Sequence, residues 1–282
     1  MKILFIGDIV GRPGRDLVRR ALPLIVDRFG IDLTIANVEN AAAGAGITRE
    51  SGDALLSYGI DVMTTGNHVW DKREALAYIG AEPRLLRPLN MSAEAPGRGS
   101  FVARASNGIL VGVINAMGRV FMPPVDNPFP AVLAEVERLR QQCRFLLVDV
   151  HAEATAEKVA LGWYLAGKVT AVVGTHTHVP TADARILEGG TAFITDVGMT
   201  GPHDSIIGVE KAAAMSRFLT GLPARLEPAS EGLRIQAVII TANDESGRAE
   251  AIERLDWTLG DIAQAQRDAG GNRDDDEMGT VR

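Results

Sequence analysis

The residues of this chain with the clearest capacity for chemistry are two histidines in the segment Gly174-Thr175-His176-Thr177-His178. The segment follows an apolar run, Val169–Val173, which predicts a buried strand. Imidazole is the commonest metal ligand in proteins but also a frequent surface group, so a metal site and a polar loop both remain open here. On an extended backbone the two rings point the same way, whereas in a turn they diverge and each can hold a different metal ion.

Three predicted strands near the start of the chain also end in polar segments. These strands are Lys2–Ile6, Leu33–Ala36 and Asp61–Thr65, and the helix predicted over Asp16–Phe29 favours a parallel sheet with a right-handed crossover. The ends of parallel strands meet at one edge of a sheet, so we expect the side chains that follow them to converge. These side chains are Asp8, Glu39 with Asn40, and Asn67 with His68. A fourth predicted strand, Phe145–Val150, ends in His151.

The converging side chains offer oxygen and nitrogen ligands and no thiolate. Cys143, the only cysteine, lies between a predicted helix and strand and is expected to be a buried thiol. A structural zinc site of the cysteine type is therefore excluded, while manganese, iron and catalytic zinc all suit the set, and affinity order alone cannot choose among them. His203 follows no predicted strand and is expected to be a loop residue outside this set.

The composition favours one soluble globular domain. The chain has 282 residues, of which 46% are hydrophobic and 23% charged, and a single cysteine fits a reducing compartment. The net charge of -7 argues against binding to duplex nucleic acid or to an anionic membrane. The short apolar start and the lack of a run near ~20 apolar residues predict a cytoplasmic protein without a signal peptide or membrane span. The oligomeric state stays open, a homo-oligomer included.

The rest of the chain is less regular. We predict a kink or early break at Pro23, a helix from Thr48 to Tyr58, a long loop over Met117–Pro130 and a terminal hairpin of Leu233–Thr241 with Ala249–Leu255. Short strands are expected at Arg84–Asn90, Ser100–Arg104 and Ile109–Asn115. Residues 1–259 are expected to form one domain, and residues 260–282 an acidic, mobile tail.

The combination of these motifs resembles the calcineurin-like metallophosphoesterases. The resemblance rests on Gly7-Asp8, Asn37-Val38-Glu39-Asn40, Gly66-Asn67-His68, His151 and Gly174–His178, which stand in the family's order. Two departures are visible. The usual Asp-x-His is Asp8-Ile9-Val10 here, and Glu39 with Asn40 replaces the usual bridging aspartate. Both departures resemble the YmdB-like branch, whose members are similar to 2′,3′-cyclic nucleotide phosphodiesterases.

The resemblance implies a four-layer α/β/β/α sandwich of two mixed sheets flanked by helices, and a site that holds two metal ions, iron or manganese by preference and zinc as an alternative. The first metal would be held by Asp8, Glu39, Asn40 and His178, and the second by Glu39, Asn67, His151 and His176. The resemblance further implies that a hydroxide between the metals attacks a small phosphodiester, a 2′,3′-cyclic nucleotide by preference, and that His68 is the general acid.

Two alternatives to this function remain open from the sequence. One is a regulatory protein that binds a nucleotide or a partner and turns it over slowly. The other is a nuclease or protein phosphatase that uses the same site, which the acidic composition and the lack of an extended basic groove disfavour. For His68, a role in orienting a neighbouring ligand is the alternative to proton transfer.

Overall fold

The computed structural model describes the backbone of residues 1–277 and the side chains of residues 1–269. The first half of the chain contains β1 (Lys2–Ile6), β2 (Asp8–Ile9), α1 (Gly11–Phe29), β3 (Leu33–Asn37), α2 (Arg49–Ser57), β4 (Val62–Thr64), α3 (Ala75–Ala81), β5 (Ser100–Arg104), β6 (Leu110–Met117) and α4 (Pro128–Leu139). The second half contains β7 (Phe145–His151), α5 (Thr155–Tyr164), β8 (Ala171–Thr175), β9 (Arg185–Leu187), β10 (Thr191–Ile194), β11 (Met199–Pro202), α6 (Lys211–Thr220), β12 (Leu233–Ala242), β13 (Ala249–Thr258) and α7 (Leu259–Glu277).

The described strands form two mixed sheets. The first has the order β2-β11-β12-β1-β3-β4, with β13 also paired to β12, and its strands β1, β3 and β4 run parallel. The second has the order β5-β6-β7-β8-β10-β9, in which β6, β7, β8 and β10 run parallel between two antiparallel edge strands. The predicted hairpin near the C-terminus is the antiparallel pair β12–β13.

Successive side chains along each central strand pack alternately into two different cores, so the two sheets form the middle two of four layers. On β1, Ile3 and Phe5 pack into a core shared with strands of the second sheet, whereas Leu4 and Ile6 pack against α1 and its neighbouring helices. The outer face of the second sheet packs in the same way against α4 and α5. Such alternation is expected where both faces of a strand are buried under different layers. The predicted four-layer α/β/β/α sandwich is thereby confirmed.

Helix α1 departs from the prediction at its start and at Pro23. It begins at Gly11 rather than at Asp16 and continues through Pro23 to Phe29, so the predicted early break is wrong. Pro13 lies in the first turn, where a missing backbone N–H costs no hydrogen bond. Gly14 is required by packing, since a Cβ atom there would lie 2.4 Å from the carbonyl oxygen of Thr200.

One other segment differs from the prediction. Residues 84–90 form no strand, because Leu85 and Leu86 make only isolated bridges to Met63 and Arg98. Beyond residue 259 the chain continues as α7, and Ile262 is fully buried in the core beside α1. The division into a domain at 1–259 and a tail at 260–282 stays a prediction, and residues 278–282 lie outside the described part.

None of the helices in the described part of the chain is both long enough and apolar enough to cross a membrane.

Candidate metal centre

The carboxyl ends of strands from both sheets meet at one place and carry the side chains that the sequence singled out. Asp8 follows β1 and belongs to the two-residue strand β2, which pairs with Met199 and Thr200 of β11. Glu39 and Asn40 follow β3, and Asn67 and His68 follow β4. His151 ends β7, while His176 and His178 lie just beyond β8. Loops that follow parallel strands all leave the sheet at the same edge, so the side chains they carry come together there.

Three of these side chains surround the Nε2 atom of His151. Nε2 lies 3.0 Å from Oε1 of Glu39, 3.0 Å from Oδ1 of Asn67 and 3.0 Å from Nδ1 of His176. Donor atoms of Glu39, His151 and His176 all lie within 4.8 Å of one another. Two ligands at right angles around an ion with bonds of about 2.1 Å lie about 3.0 Å apart, so this spacing suits a divalent ion.

A second group of candidate ligands lies around Asp8. Nε2 of His178 is 3.8 Å from Oδ1 of Asp8, and Oδ2 of Asp8 accepts a hydrogen bond from the backbone N–H of His176. Within the described residues, Oδ1 of Asp8 and Oδ1 of Asn40 are buried and accept no hydrogen bond. Buried oxygen acceptors without a donor are costly unless a cation satisfies them. The residues present therefore fit a metal ion here as well.

The backbone between β8 and Pro180 separates the two histidines. His176 has φ 102° and His178 has φ 63°, values that non-glycine residues rarely adopt and that often mark functional positions. Of the two arrangements open from the sequence, the structure has the turn. His176 faces His151 and Glu39, whereas His178 faces Asp8.

One nitrogen of each of these histidine rings is bonded to a protein acceptor, which leaves the other facing the centre. His151 donates through Nδ1 to Oγ1 of Thr175 at 2.9 Å, and His178 donates through Nδ1 to the carbonyl of Ile207 at 2.8 Å. His176 uses Nε2 toward Glu153, 3.1 Å away. Such partners fix the tautomer and orientation of metal-binding imidazoles. The three rings are thus held ready to bind metal.

The charges in the metal-free site are strongly coupled. Burial disfavours a charged His151, but Glu39 at 3.0 Å and the nearby Asp8 outweigh it and raise the pKa of His151 to about 9. Burial likewise opposes a charged Glu39, yet His151 and His68 lower the pKa of Glu39 to about 2. Burial, reinforced by the charge of His151, lowers the pKa of His176 to about 3. A proton on Nε2 of His151 therefore lies where acceptor atoms of Glu39, Asn67 and His176 converge.

A buried polar layer supports the centre from below. Oγ1 of Thr175 donates to Asp149 at 2.8 Å while it accepts from His151, and Asn37 and Thr64 also donate to Asp149. Burial raises the pKa of Asp149 to about 6. Gly66 is required above this layer, because a Cβ atom there would lie 2.0 Å from the ring of His151.

The turn that carries the two histidines is fixed by a buried ion pair. Nζ of Lys158 lies 2.7 Å from Oδ2 of Asp196 and donates to the carbonyl of Thr175 at 2.7 Å. Asp196 in turn accepts from both N–H and Oγ1 of Thr177. The pair therefore holds the residue before His176 and the residue between the two histidines.

We expect Lys158→Met to lower the free energy of unfolding of the metal-free protein by about 3–5 kcal/mol, because it leaves Asp196 buried and unpaired. The double variant with Asp196→Asn should recover part of this loss, since the unpaired charge is removed. Lys211→Met is the matched control: Lys211 and Asp204 form an exposed pair, which contributes less than about 1 kcal/mol. Urea unfolding measures all three, and a loss at Lys158 no larger than at Lys211 would contradict this account.

His68 lies at the mouth of the site rather than among the ligands. Its backbone N–H donates to Oε2 of Glu39 at 3.0 Å, and its ring nitrogen Nδ1 bonds to Asp71 at 2.7 Å. The ring is partly exposed, and it lines a cleft of about 270 Å³ together with Glu39, Asn40, Glu153, His176 and His178. With Nδ1 held by a carboxylate, Nε2 is the nitrogen free to meet a ligand in this cleft.

The structure thus gathers all eight predicted site residues. His203, expected to lie outside this set, donates through Nε2 to the carbonyl of Met199, the register partner of Asp8. The prediction of a buried Cys143 is confirmed. Sequence reasoning missed Asp71, Glu153, Lys158 and Asp196. For Asp71 the sequence offered a signal, since this carboxylate lies only three residues after His68. The Lys158–Asp196 pair had none, because the two residues are 38 positions apart.

Two mixed sheets packed face to face, with a histidine and carboxylate cluster at the strand ends of both, define a metallophosphoesterase-like protein. The family model of YmdB-like proteins matches residues 4–255, and the chain belongs to this family. It is 46% identical over 255 residues to the 2′,3′-cyclic-nucleotide 2′-phosphodiesterase of Bacillus subtilis (strain 168), a match that covers 90% of this chain and 96% of that protein.

Solved structures agree with this assignment. A hypothetical protein from Thermus thermophilus is 44% identical, with a TM-score of 0.86 over 92% of this chain and 99% of the other. A novel phosphatase from Mycoplasma pneumoniae is 32% identical, with a TM-score of 0.85 over 92% of this chain and 93% of the other. The predicted family, fold and phosphodiesterase class of enzyme are confirmed by these matches.

Proposed function

We propose that this enzyme hydrolyses small phosphodiesters, with 2′,3′-cyclic nucleotides as the favoured substrates, in a site that holds two metal ions. The observation that carries the proposal is the convergence of Glu39, Asn67, His151 and His176 within hydrogen-bond distance, beside two buried oxygens without a donor. The substrate class is supported by the name of the Bacillus subtilis relative, which aligns over nearly the whole chain.

The two groups of ligands divide between two ions. Asp8, Glu39, Asn40 and His178 would hold the first, and Glu39, Asn67, His151 and His176 the second, so that Glu39 is shared. Manganese, iron and zinc all accept these oxygen and nitrogen donors, and the resemblance to the metallophosphoesterases favours iron or manganese. Divergence of His176 and His178 at their positive φ angles supports the assignment of one ring to each ion.

The charge of the site suits an anionic substrate. Two divalent ions bring four positive charges, while the carboxylates of Asp8 and Glu39 return two, so a phosphodiester anion is attracted even though the chain carries a net charge of -7. When bound, such ions supply Lewis acidity and lower the pKa of coordinated water toward neutrality. No carboxylate or imidazole of the chain is then needed as the base.

His68 is the residue placed to protonate the leaving oxygen. Its ring lines the same cleft as the candidate ligands, and Asp71 fixes its orientation through Nδ1. Hydrolysis of a 2′,3′-cyclic nucleotide frees one ribose oxygen as a poor, strongly basic leaving group. A positioned imidazole that donates a proton there contributes typically about 10²–10⁴-fold to the rate.

Metal loading is expected to release at least one proton per chain at pH 7. The pKa of His151 is raised to about 9 without metal, so its ring is protonated, and coordination requires the neutral ring. The apparent affinity should therefore rise by about tenfold per pH unit as the pH approaches 9. Calorimetric titration with Mn²⁺ in buffers of different ionisation enthalpy measures the release. An enthalpy that is equal in all buffers would contradict this expectation.

The substrate proposal is tested with protein reloaded with Mn²⁺ or Fe²⁺ and a panel of phosphodiesters. We expect 2′,3′-cyclic nucleotides to give a higher kcat/KM than 3′,5′-cyclic nucleotides and linear dinucleotides. Chelator-treated protein is the control and should lose the activity. Failure to hydrolyse any 2′,3′-cyclic nucleotide after full metal loading would refute the proposed substrate class.

A further inference from the structure

A second cavity, of about 260 Å³, adjoins the metal cleft and differs from it in character. Within the described residues its lining carries no charged side chain and includes Trp70, Met91, Met117, Pro123 and Val125. The metal cleft, in contrast, is lined by two glutamates and three histidines. We define this second cavity as the apolar pocket. Its volume lies just below the ~300 Å³ at which drug-sized sites begin, which suits a single ring system.

The apolar pocket and the ligand cluster share one residue, Asn67. Asn67 lines the pocket, and Oδ1 of the same residue is 3.0 Å from Nε2 of His151. Met117, also in its lining, is the register partner of His151 in the parallel pair β6–β7, and adjacent strands are about 4.8 Å apart. The next residue after Asn67, His68, lines the metal cleft. A ligand bound at the metals can therefore extend into the pocket.

The pocket walls are held in place before any ligand binds. Asn90 is 2% exposed, and its Nδ2 donates to the carbonyls of Met117 and Asp126, each at 2.8 Å. Its Oδ1 accepts from the N–H of Met117 at 3.0 Å. One buried amide thus joins strand β6 to the loop that contributes Pro123 and Val125. A preformed wall spares a ligand the entropic cost of ordering it.

We propose that the apolar pocket binds the nucleobase of the substrate, with the indole of Trp70 as the main contact surface. A nucleobase has flat faces that stack on aromatic and apolar side chains, and it is attached to the same ribose that carries the cyclic phosphate. Stacking of a base on an aromatic ring tolerates any base, so the pocket favours nucleotides over base-free phosphodiesters more than it selects among bases. This inference rests on the proposed function, since it assigns the base of that substrate.

The test compares a 2′,3′-cyclic nucleotide with methyl riboside 2′,3′-cyclic phosphate, which has the same reacting group and no base. Wild-type enzyme is expected to show a KM about tenfold lower for the nucleotide. Trp70→Leu should raise the KM for the nucleotide about tenfold and leave the KM for the base-free substrate within twofold. Val125→Trp, which fills the pocket from another lining residue, should do the same. Trp163→Leu, an exposed tryptophan on α5, is the matched control and should change neither.

The outcomes separate this inference from the proposed function. A wild-type enzyme that hydrolyses both substrates with equal KM, or pocket variants that raise both KM values equally, would overturn the base assignment and leave the phosphodiesterase standing. Loss of the nucleotide preference in both pocket variants, with kcat on the base-free substrate retained, would establish it. Hydrolysis of neither substrate by wild-type protein loaded with Mn²⁺ would overturn the proposed substrate class itself.

Discussion

Replacing Glu39 by glutamine is expected to lower kcat/KM by about 10³-fold or more. In the proposed centre Glu39 is shared by both ions, and in the structure its Oε1 lies 3.0 Å from Nε2 of His151 while its Oε2 accepts a hydrogen bond from the backbone N–H of His68. Glutamine keeps the shape of the side chain but removes the charge that would pair with both metals. A loss of about 4 kcal/mol in stabilisation of the transition state, which is ordinary for metal catalysis, corresponds to this factor.

The measurement is steady-state hydrolysis of a 2′,3′-cyclic nucleotide, with bound metal determined on the same samples. Glu135→Gln is the control, because Glu135 lies on α4 and bonds to Arg138 and Ser100. It should retain the activity and metal content of the unmodified enzyme. An E39Q enzyme within tenfold of the unmodified one would show that Glu39 is not the shared ligand.

The His68→Asn variant is expected to lower kcat by about 10²–10⁴-fold on a 2′,3′-cyclic nucleotide while it keeps its metal. The same change should cost less than about tenfold on a p-nitrophenyl phosphodiester, because that phenolate leaves readily without a proton. The ring of His68 lines the cleft, whereas the backbone N–H that bonds Glu39 is unaffected by the substitution. The dependence on the leaving group therefore separates proton donation from a role in orienting ligands.

Two further variants complete this comparison. Asp71→Asn keeps the ring of His68 but weakens its 2.7 Å partner, so we expect a smaller loss of about tenfold with the same dependence on the leaving group. His203→Asn removes a histidine that bonds only to the carbonyl of Met199 among its described side-chain hydrogen bonds, and should change neither substrate's rate. An equal loss on both substrates for H68N would rule out the general-acid role.

The candidate ligands were predictable because they lie in sequence segments with a simple physical signature. Asp8, Glu39 and Asn67 each follow an apolar run of the first sheet, and parallel strands bring such ends to one edge. His151 ends an apolar strand of the second sheet, and its ring meets Glu39 at that edge. The sequence left open whether His176 and His178 face together or apart. That choice depends on positive φ angles, which are imposed by contacts of Thr177 with Asp196 rather than by local residue preference.

Other features escaped prediction because tertiary contacts override local signals. The strand β2 has two residues and exists only through its pairing with β11. The start of α1 contains Gly11, Pro13 and Gly14, residues that read as a loop, yet close packing against Thr200 requires the second glycine. The first part of α7 is polar overall, and only Ile262 and Ala265 pack inward, which is too weak a pattern to recognise.

The buried support of the site could not be predicted from sequence at all. In the sequence, nothing distinguishes Asp149 from other residues of a predicted strand or Lys158 from other residues of a predicted helix. Both are almost fully buried, and their partners, Thr175 and Asp196, lie at the end of β8 and in the loop after β10. Polar groups of this kind become visible only once the fold brings their partners within hydrogen-bond distance.

Metal content per chain tests the proposed dinuclear centre most directly. Protein reloaded with Mn²⁺ or Fe²⁺ and freed of excess ion should contain two metals per chain by mass spectrometric metal analysis. His176→Ala and His178→Ala should each retain about one, because the two rings face different ligand groups. The double variant should retain none. A wild-type chain with fewer than two metals, or a His178→Ala chain that keeps both, would contradict the account.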